Sequence, residues 1–389
     1  MRLARLLENA DRTLSEVPRR LQTTLAALAA IAVFASWLMF IPREYVDFSG
    51  LPLLNRISQP AGYGTDTLAD MYEARVVLNN PRDMYTKALV DQTPDEARAW
   101  SKAASAPYPP TALFIDAGLY WIGVKSGIGY YGMILLLAAF FHLAALYYCL
   151  RTRWYVFLLI ALCSLFFSQR FAYVQDCTYL IFLAVVMTAL LLARRRPSIA
   201  IGLTGLAIDI KLLPLFFLTN VTAMRLTQAA WLIGIVAAGL VLPYFLLPDY
   251  LYIYSFQSET RGGLWQTAGA VAVTVPFSYL LWRLERRQRF DLEDAIGWGL
   301  VPFALFLAFN VNAARHLLVA LLVPDKRGIR TATAAIGICL YALSGGRISI
   351  NSVLPLMTAI LYGWVIWQLR SSHYSPGGSS ATLARTQML

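Results

Sequence analysis

The sequence predicts an all-α, polytopic integral membrane protein with about 10–12 transmembrane or partial helices, and three observations carry that prediction. Of the 389 residues, 58% are hydrophobic and only 14% are charged. A soluble domain carries about 25% charged residues because it needs a water-facing surface, so lipid must cover most of this chain. Apolar runs long enough, or nearly long enough, to cross a bilayer recur along the whole length. Finally, Lys and Arg gather in the short turns between those runs, which is the pattern of membrane topology rather than of nucleic-acid binding. No Arg–aromatic interleaving of the kind that lines a single-strand groove occurs.

The elements follow in order. Met1 to Arg20 is long and charged, unlike a cleavable leader, and the run 21–41 can span a bilayer. Between Pro42 and Pro110 lie nine acidic and seven basic residues, so this segment is −2 while the rest of the chain is +13. It reads as a large folded outer loop with interfacial helices. Pro109-Pro110 then opens an apolar stretch over 111–125, as suits a helix start at a membrane surface.

Further runs fall at 128–150, 154–168, 178–193, 198–220, 229–247, 266–282, 294–310, 316–324, 331–345 and 350–369. Several are shorter than the ~20 residues a straight span needs, which predicts broken helices that protein or a cavity must satisfy. The Ser- and Gly-rich tail 371–389 reads as a disordered cytoplasmic extension, and residues 1–370 as one transmembrane domain. Cys149, Cys163, Cys177 and Cys339 show no metal-ligand spacing and predict no disulfide framework.

Basic clusters at 2–20, 151–153, 194–196, 225, 283–289, 326–330 and 370–385 hold 20 of the 33 Lys and Arg residues. All reach one side, the cytoplasmic one, on two conditions. The stretch 111–125 must not cross fully, and 198–224 must go up and come back. The long loop, 169–176, Lys211, 249–265, 310–316 and 345–349 then face outward, and both termini face the cytoplasm.

Four constellations on the outward face could carry chemistry. Asp66, Asp70, Tyr72 and Tyr85 lie in the early loop, where a partly desolvated carboxylate can act as a general base and where Asp66 can equally cap the helix that follows. Tyr108-Pro109-Pro110 is punctuation on its own. Gln175 and Asp176 precede a membrane run, and Asp209 with Lys211 sits late in the next one, where an ionisable side chain is costly and marks function or snorkels to the interface. Asn312, Arg315 and His316 stand between two late apolar runs, and Arg261 is a further outward cation. His142, inside an aromatic membrane run, is expected to pack.

In order and spacing these motifs resemble the polyprenol-phosphate-sugar-dependent glycosyltransferases of family 87, a mannosyltransferase-like bacterial branch of the C-type glycosyltransferase superfold. The resemblance rests on Asp66, Tyr72-Glu-Ala-Arg75 running to Tyr85, Tyr108-Pro-Pro110, Gln175, Gly205 to Pro214 with its Ile-Lys-Leu-x-Pro core, and His316. It covers roughly residues 60–325. Val174 departs from it, since the family has Gly before the Gln.

The resemblance implies an inner-membrane enzyme of the cell envelope, with a polyprenyl-phosphate sugar as donor and a lipid or glycan as acceptor. Mannose is the first candidate sugar. Asp66 would be the base, with Asp70 as the alternative. Tyr72, Tyr85 and Tyr108 would bind acceptor, Lys211, Arg261, Arg315 and His316 would bind the donor phosphate, and Gln175, Asp176 and Asn312 would line the site. No cofactor is assigned. Asp66, Asp70 and Asp176 offer oxygen ligands of the type that magnesium or manganese prefers. No nucleic-acid partner is expected, and no cytosolic nucleotide-binding domain is visible in the sequence. Two other classes remain: a transporter or flippase of a lipid-linked or anionic substrate, and an inactive member of the same fold.

Overall fold

A computed structural model describes residues 13–40, 73–83, 109–166, 177–211, 226–247, 264–288, 290–310, 314–326, 328–344 and 347–371. Among them the apolar runs become helices: α1 (Arg19–Phe40), α2 (Pro110–Ser126), α3 (Gly129–Arg151), α4 (Trp154–Phe166), α5 (Cys177–Leu192) and α6 (Pro197–Lys211). The second half adds α7 (Leu226–Leu246), α8 (Leu264–Gln288), α9 (Leu292–Asn310), α10 (Arg315–Leu322), α11 (Ile329–Leu343) and α12 (Ile350–Ser371). Among the described residues four stretches, within α3, α7, α9 and α12, are long and apolar enough to cross a membrane. The interiors of α7, α8, α9 and α12 hold Pro243, Pro276, Pro302 and Pro355, as membrane helices tolerate when neighbours satisfy the freed carbonyls.

Of the predicted outer loop, the structure describes a helical turn over 73–79, a short 3-10 turn Pro81–Asp83, and Pro109–Pro110. The predicted tail lies outside the described residues beyond Ser371.

One core runs from Ala26 in α1 to Leu369 in α12. α9 is its axis. Apolar on nearly every side, α9 is buried from Glu293 to Leu305 and packs on α8, α10 and α5. α4 joins the halves through α10 and α11. α7 touches little besides α6, and its Trp231, Tyr244 and Phe245 are exposed, as a lipid-facing helix requires.

The described members of the basic clusters converge at one end of the bundle. The Trp154 indole donates to the Leu14 carbonyl, tying the start of α4 to the segment before α1. Arg153 donates to the Asp325 carbonyl, and Arg287 at the end of α8 donates to the Leu369 carbonyl of α12. At the centre of this end sits Glu293, in the first turn of α9 and 6% exposed as a side chain. Its Oε1 accepts from Arg194 Nε at 2.5 Å, and its Oε2 from Lys326 Nζ at 2.8 Å and the Tyr148 hydroxyl at 3.0 Å. Asp291 caps α9 through the Asp294 amide and takes a second bond from Lys326 at 2.5 Å. Four segments are thereby clamped together: the ends of α3 and α5, the start of α9, and the α10–α11 turn.

The clamp makes a pH prediction. Burial pushes the Asp291 carboxyl up, but bonds from Lys326 and the Asp294 amide outweigh it and hold it below its ordinary 3.8. Burial likewise depresses the Lys326 ammonium, yet its bonds to Asp291 and Glu293 raise it above 10.5. A depressed acid stabilises the fold above its unfolded value and loses that contribution as pH falls through the folded value. A raised base contributes fully below its unfolded value and loses the contribution as pH rises through the folded one. Thermal midpoints should therefore hold a plateau between about pH 4 and 10 and fall on both sides. Asp291→Asn should flatten part of the acid limb. An unchanged acid limb in that variant would remove Asp291 from the clamp.

Two helix pairings bear on the topological conditions. Gly202 of α6 faces Trp231 and Ile235 of α7, Gly205 faces Leu232 and Ile235, and Gly239 faces Asp209. The numbers rise together, so α6 and α7 run parallel, and the start of α7 lies at the same end of the bundle as the start of α6. α2 turns into α3 through Gly127 and Gly129, both with positive φ (74° and 77°). The Tyr130 hydroxyl in the first turn of α3 donates to Asp116 Oδ1, tying the middle of α2 to the start of α3.

Candidate functional site

The end opposite the basic clusters collects the helix termini on which the sequence motifs fall. α5 and α6 form an antiparallel hairpin of nearly equal arms, closed by residues 193–196, so the start of α5 comes level with the end of α6 at Lys211. α9 ends here at Asn310 and α10 begins with Arg315 and His316. The His316 ring is half-buried and packs on the Tyr179 ring of α5, centroids 5.9 Å apart and tilted by 44°. Lys211, Arg315 and His316 thus sit at the ends of two helices that open on the same end of the bundle.

Polar side chains brace these termini. The Thr267 hydroxyl near the start of α8 donates to Asn310 Oδ1 at 2.9 Å, and Gln266 Nε2 donates to the Phe309 carbonyl at 3.3 Å. Ahead of α10 the Ala314 amide donates to Asn351 Oδ1 at 2.9 Å, so α12 fixes where the Arg315–His316 turn begins. The bonds to the Phe309 carbonyl and from the Ala314 amide satisfy backbone groups that helix ends leave open, which is the condition for irregular backbone at membrane depth. Tyr179, Thr267 and Asn351 were not singled out from the sequence. A hydroxyl or amide within three residues of a run's outer end was the signal that could have found them.

Of the residues implied by the family resemblance, Asp66, Asp70, Tyr72, Tyr85, Tyr108, Gln175, Asp176, Arg261 and Asn312 lie outside the described residues. The early loop is represented by the turn 73–79, whose Glu73, Ala74, Val76 and Val77 are buried while Arg75 is exposed. No cluster of three or more His, Cys, Asp or Glu suited to a metal occurs among the described residues.

Two membrane-depth polar residues resolve differently. His142 packs as expected: it is buried, its Nδ1 donates to the Ala138 carbonyl at 3.0 Å, and its ring meets Phe141 edge-on at 4.8 Å. Asp209 is 3% exposed, and its Oδ1 has no hydrogen-bond partner among the described residues. It lies about 18 Å along α6 from Pro197, where a side chain on Gly239 of α7 would collide with its carboxylate. A buried carboxylate left this way costs free energy that packing alone does not return.

Fold and site together define an all-α bundle of the membrane type, with one cationic end and a polar cradle of helix termini at the other. Compared with protein-family models, curated proteins and solved structures, the chain matches none.

Proposed function

We propose that the protein is a membrane glycosyltransferase that moves a sugar, mannose first among candidates, from a polyprenyl-phosphate carrier to a lipid or glycan acceptor. The basic end is assigned to the cytoplasm and the cradle to the outer face of a bacterial inner membrane. One observation carries the reading. The helix ends bearing Lys211, Arg315 and His316, which the family resemblance assigns to the donor phosphate, share the end opposite the basic clusters. Loop charge and motif identity are independent, and they select the same end.

In the proposed reaction the Asp66 carboxylate takes the proton of an acceptor hydroxyl. The freed oxygen forms a bond to the anomeric carbon as the bond from that carbon to the phosphate oxygen breaks, with inversion. The electron pair leaves with polyprenyl phosphate, whose charge Lys211, Arg315 and His316 offset. A leaving group of this charge in a low-dielectric setting needs fixed cations, because little water is present to solvate it.

The test is incubation of the reconstituted protein with a panel of polyprenyl-phosphate sugars, following release of polyprenyl phosphate. Release from none of them, by protein that is folded and inserted, would sink the reading. Lys211→Met is expected to lower kcat by roughly 10²–10³, as loss of one preorganised charge-stabilising donor does elsewhere, with Lys211→Arg restoring part of it. Unchanged kcat in the Met variant would remove Lys211 from the phosphate.

The Asp209 carboxylate specifically favours a second reading, a transporter or flippase, since buried ionisable groups in spans line substrate and ion pathways. Movement of a lipid-linked substrate across vesicles without sugar transfer, lost in Asp209→Asn, would support it.

A further inference from the structure

The exposed face of α8 changes character along its length. It is apolar from Val271 to Pro276, aromatic at Tyr279 and cationic at Arg283 and Arg286, with Trp282 half-buried between them. The Arg283 guanidinium lies 5.9 Å from the Tyr279 ring centre and that of Arg286 lies 4.3 Å from the Trp282 ring centre. Each Arg follows its ring by four residues, so the two pairs run side by side on one helix face. The two rings are themselves 5.9 Å apart.

No described acid forms an ion pair with this face. Glu285, the one acid in α8, is buried on the inward side with Phe277, Leu281 and Leu284. Neither Arg283 nor Arg286 makes a hydrogen bond or ion pair with a described residue, whereas Arg287 beside them is held by the Leu369 carbonyl. A guanidinium resting on a ring engages through its face and keeps its in-plane N–H groups for a planar or tetrahedral oxyanion.

The order apolar, aromatic, cationic is the order of a bilayer from hydrocarbon to headgroup, with rings at the boundary and cations at the phosphate level. We propose that Arg283 and Arg286, each set over its ring, form a binding site for the phosphate of an anionic phospholipid, whose chains lie along Val271–Pro276. The apolar stretch beneath the cations selects a lipid over a soluble polyanion, because it requires a ligand with a tail. This site depends on the membrane assignment alone, and its success or failure leaves the sugar-transfer reading where it stands.

The experiment uses the purified full-length protein in neutral detergent, titrated with phosphatidylglycerol or phosphatidylcholine, with bound lipid counted by native mass spectrometry. The wild type is expected to retain phosphatidylglycerol over phosphatidylcholine. Arg283→Gln with Arg286→Gln should weaken phosphatidylglycerol binding roughly 20- to 30-fold, with phosphatidylcholine unchanged. Lys125→Gln with Arg347→Gln removes two exposed charges at the opposite end and should leave binding as in the wild type. Equal loss in both double variants would overturn the site in favour of bulk charge attraction, and so would full retention in the α8 variant. Both altered side chains on α8 are exposed, and the single Arg286→Gln variant, expected to show a loss of about fivefold, provides the same test with less change to the helix.

Discussion

If the proposed reaction holds, replacing Asp66 with Asn is expected to lower kcat for sugar transfer by roughly 10²–10⁴ while insertion and thermal midpoint stay as in the wild type. The amide is nearly isosteric with the carboxylate and keeps any helix-capping bond, since its oxygen still accepts from a backbone amide. It cannot take a proton from an acceptor hydroxyl. Catalysis and capping are therefore separated by one substitution. If Asp66→Asn turns over normally and Asp70→Asn does not, the base is Asp70. If neither matters, the carboxylate is elsewhere and the early loop serves another purpose.

Asp325→Ala is expected to have the largest effect on stability, about 3–5 kcal/mol, read as a fall in the thermal midpoint in detergent. Asp325 and Arg330 are almost fully buried at the basic end. One carboxylate oxygen accepts from the Arg330 backbone amide at 2.7 Å at the start of α11, and the other lies 3.8 Å from the guanidinium Nε. The same guanidinium donates to the Gly297 and Pro324 carbonyls and sits over Trp298, which stacks face to face on Trp364 of α12 at 4.5 Å. Removing the acid leaves a buried cation without its counter-charge and α11 without its first bond. A midpoint equal to the wild type's would mean that the two carbonyls hold Arg330 unaided.

Gly297 shows why this arrangement tolerates so little. A methyl group there would occupy the space of the Arg330 guanidinium, so the glycine on α9 is what lets a charged side chain enter the core. The cost of burying that charge is offset only while every acceptor around it is in place. No feature of the run Leu292–Asn310 read by itself identifies Gly297 as the position facing an arginine thirty-three residues later.

Much of the helical inventory was legible beforehand, because the signal is local. Runs such as 350–369 and 128–150 became α12 and α3 with ends shifted by one or two residues, since hydropathy and flanking Arg fix where lipid contact stops. A cation and a nearby Pro in an apolar run predict a break at Lys211; α6 is described to Lys211, and residues 212–225 lie outside the described residues. Hydropathy ends the α8 run at residue 282, yet the helix continues to Gln288. Its last turns carry Arg and Gln, which leave the hydrocarbon without leaving the helix, and hydropathy ends where lipid does.

What the sequence alone determined is which segments are helical, and that their cationic turns belong to one end. Both follow from the transfer free energies of single residues, which need no knowledge of neighbours in space. Tertiary structure alone decided that α6 and α7 run parallel, that α9 is the buried axis, that Glu293 gathers Arg194, Lys326 and Tyr148, and that Tyr179 meets His316. Those pairings join residues that are far apart in the chain, and their energies depend on which helix faces which. That choice belongs to packing and is written in no single run.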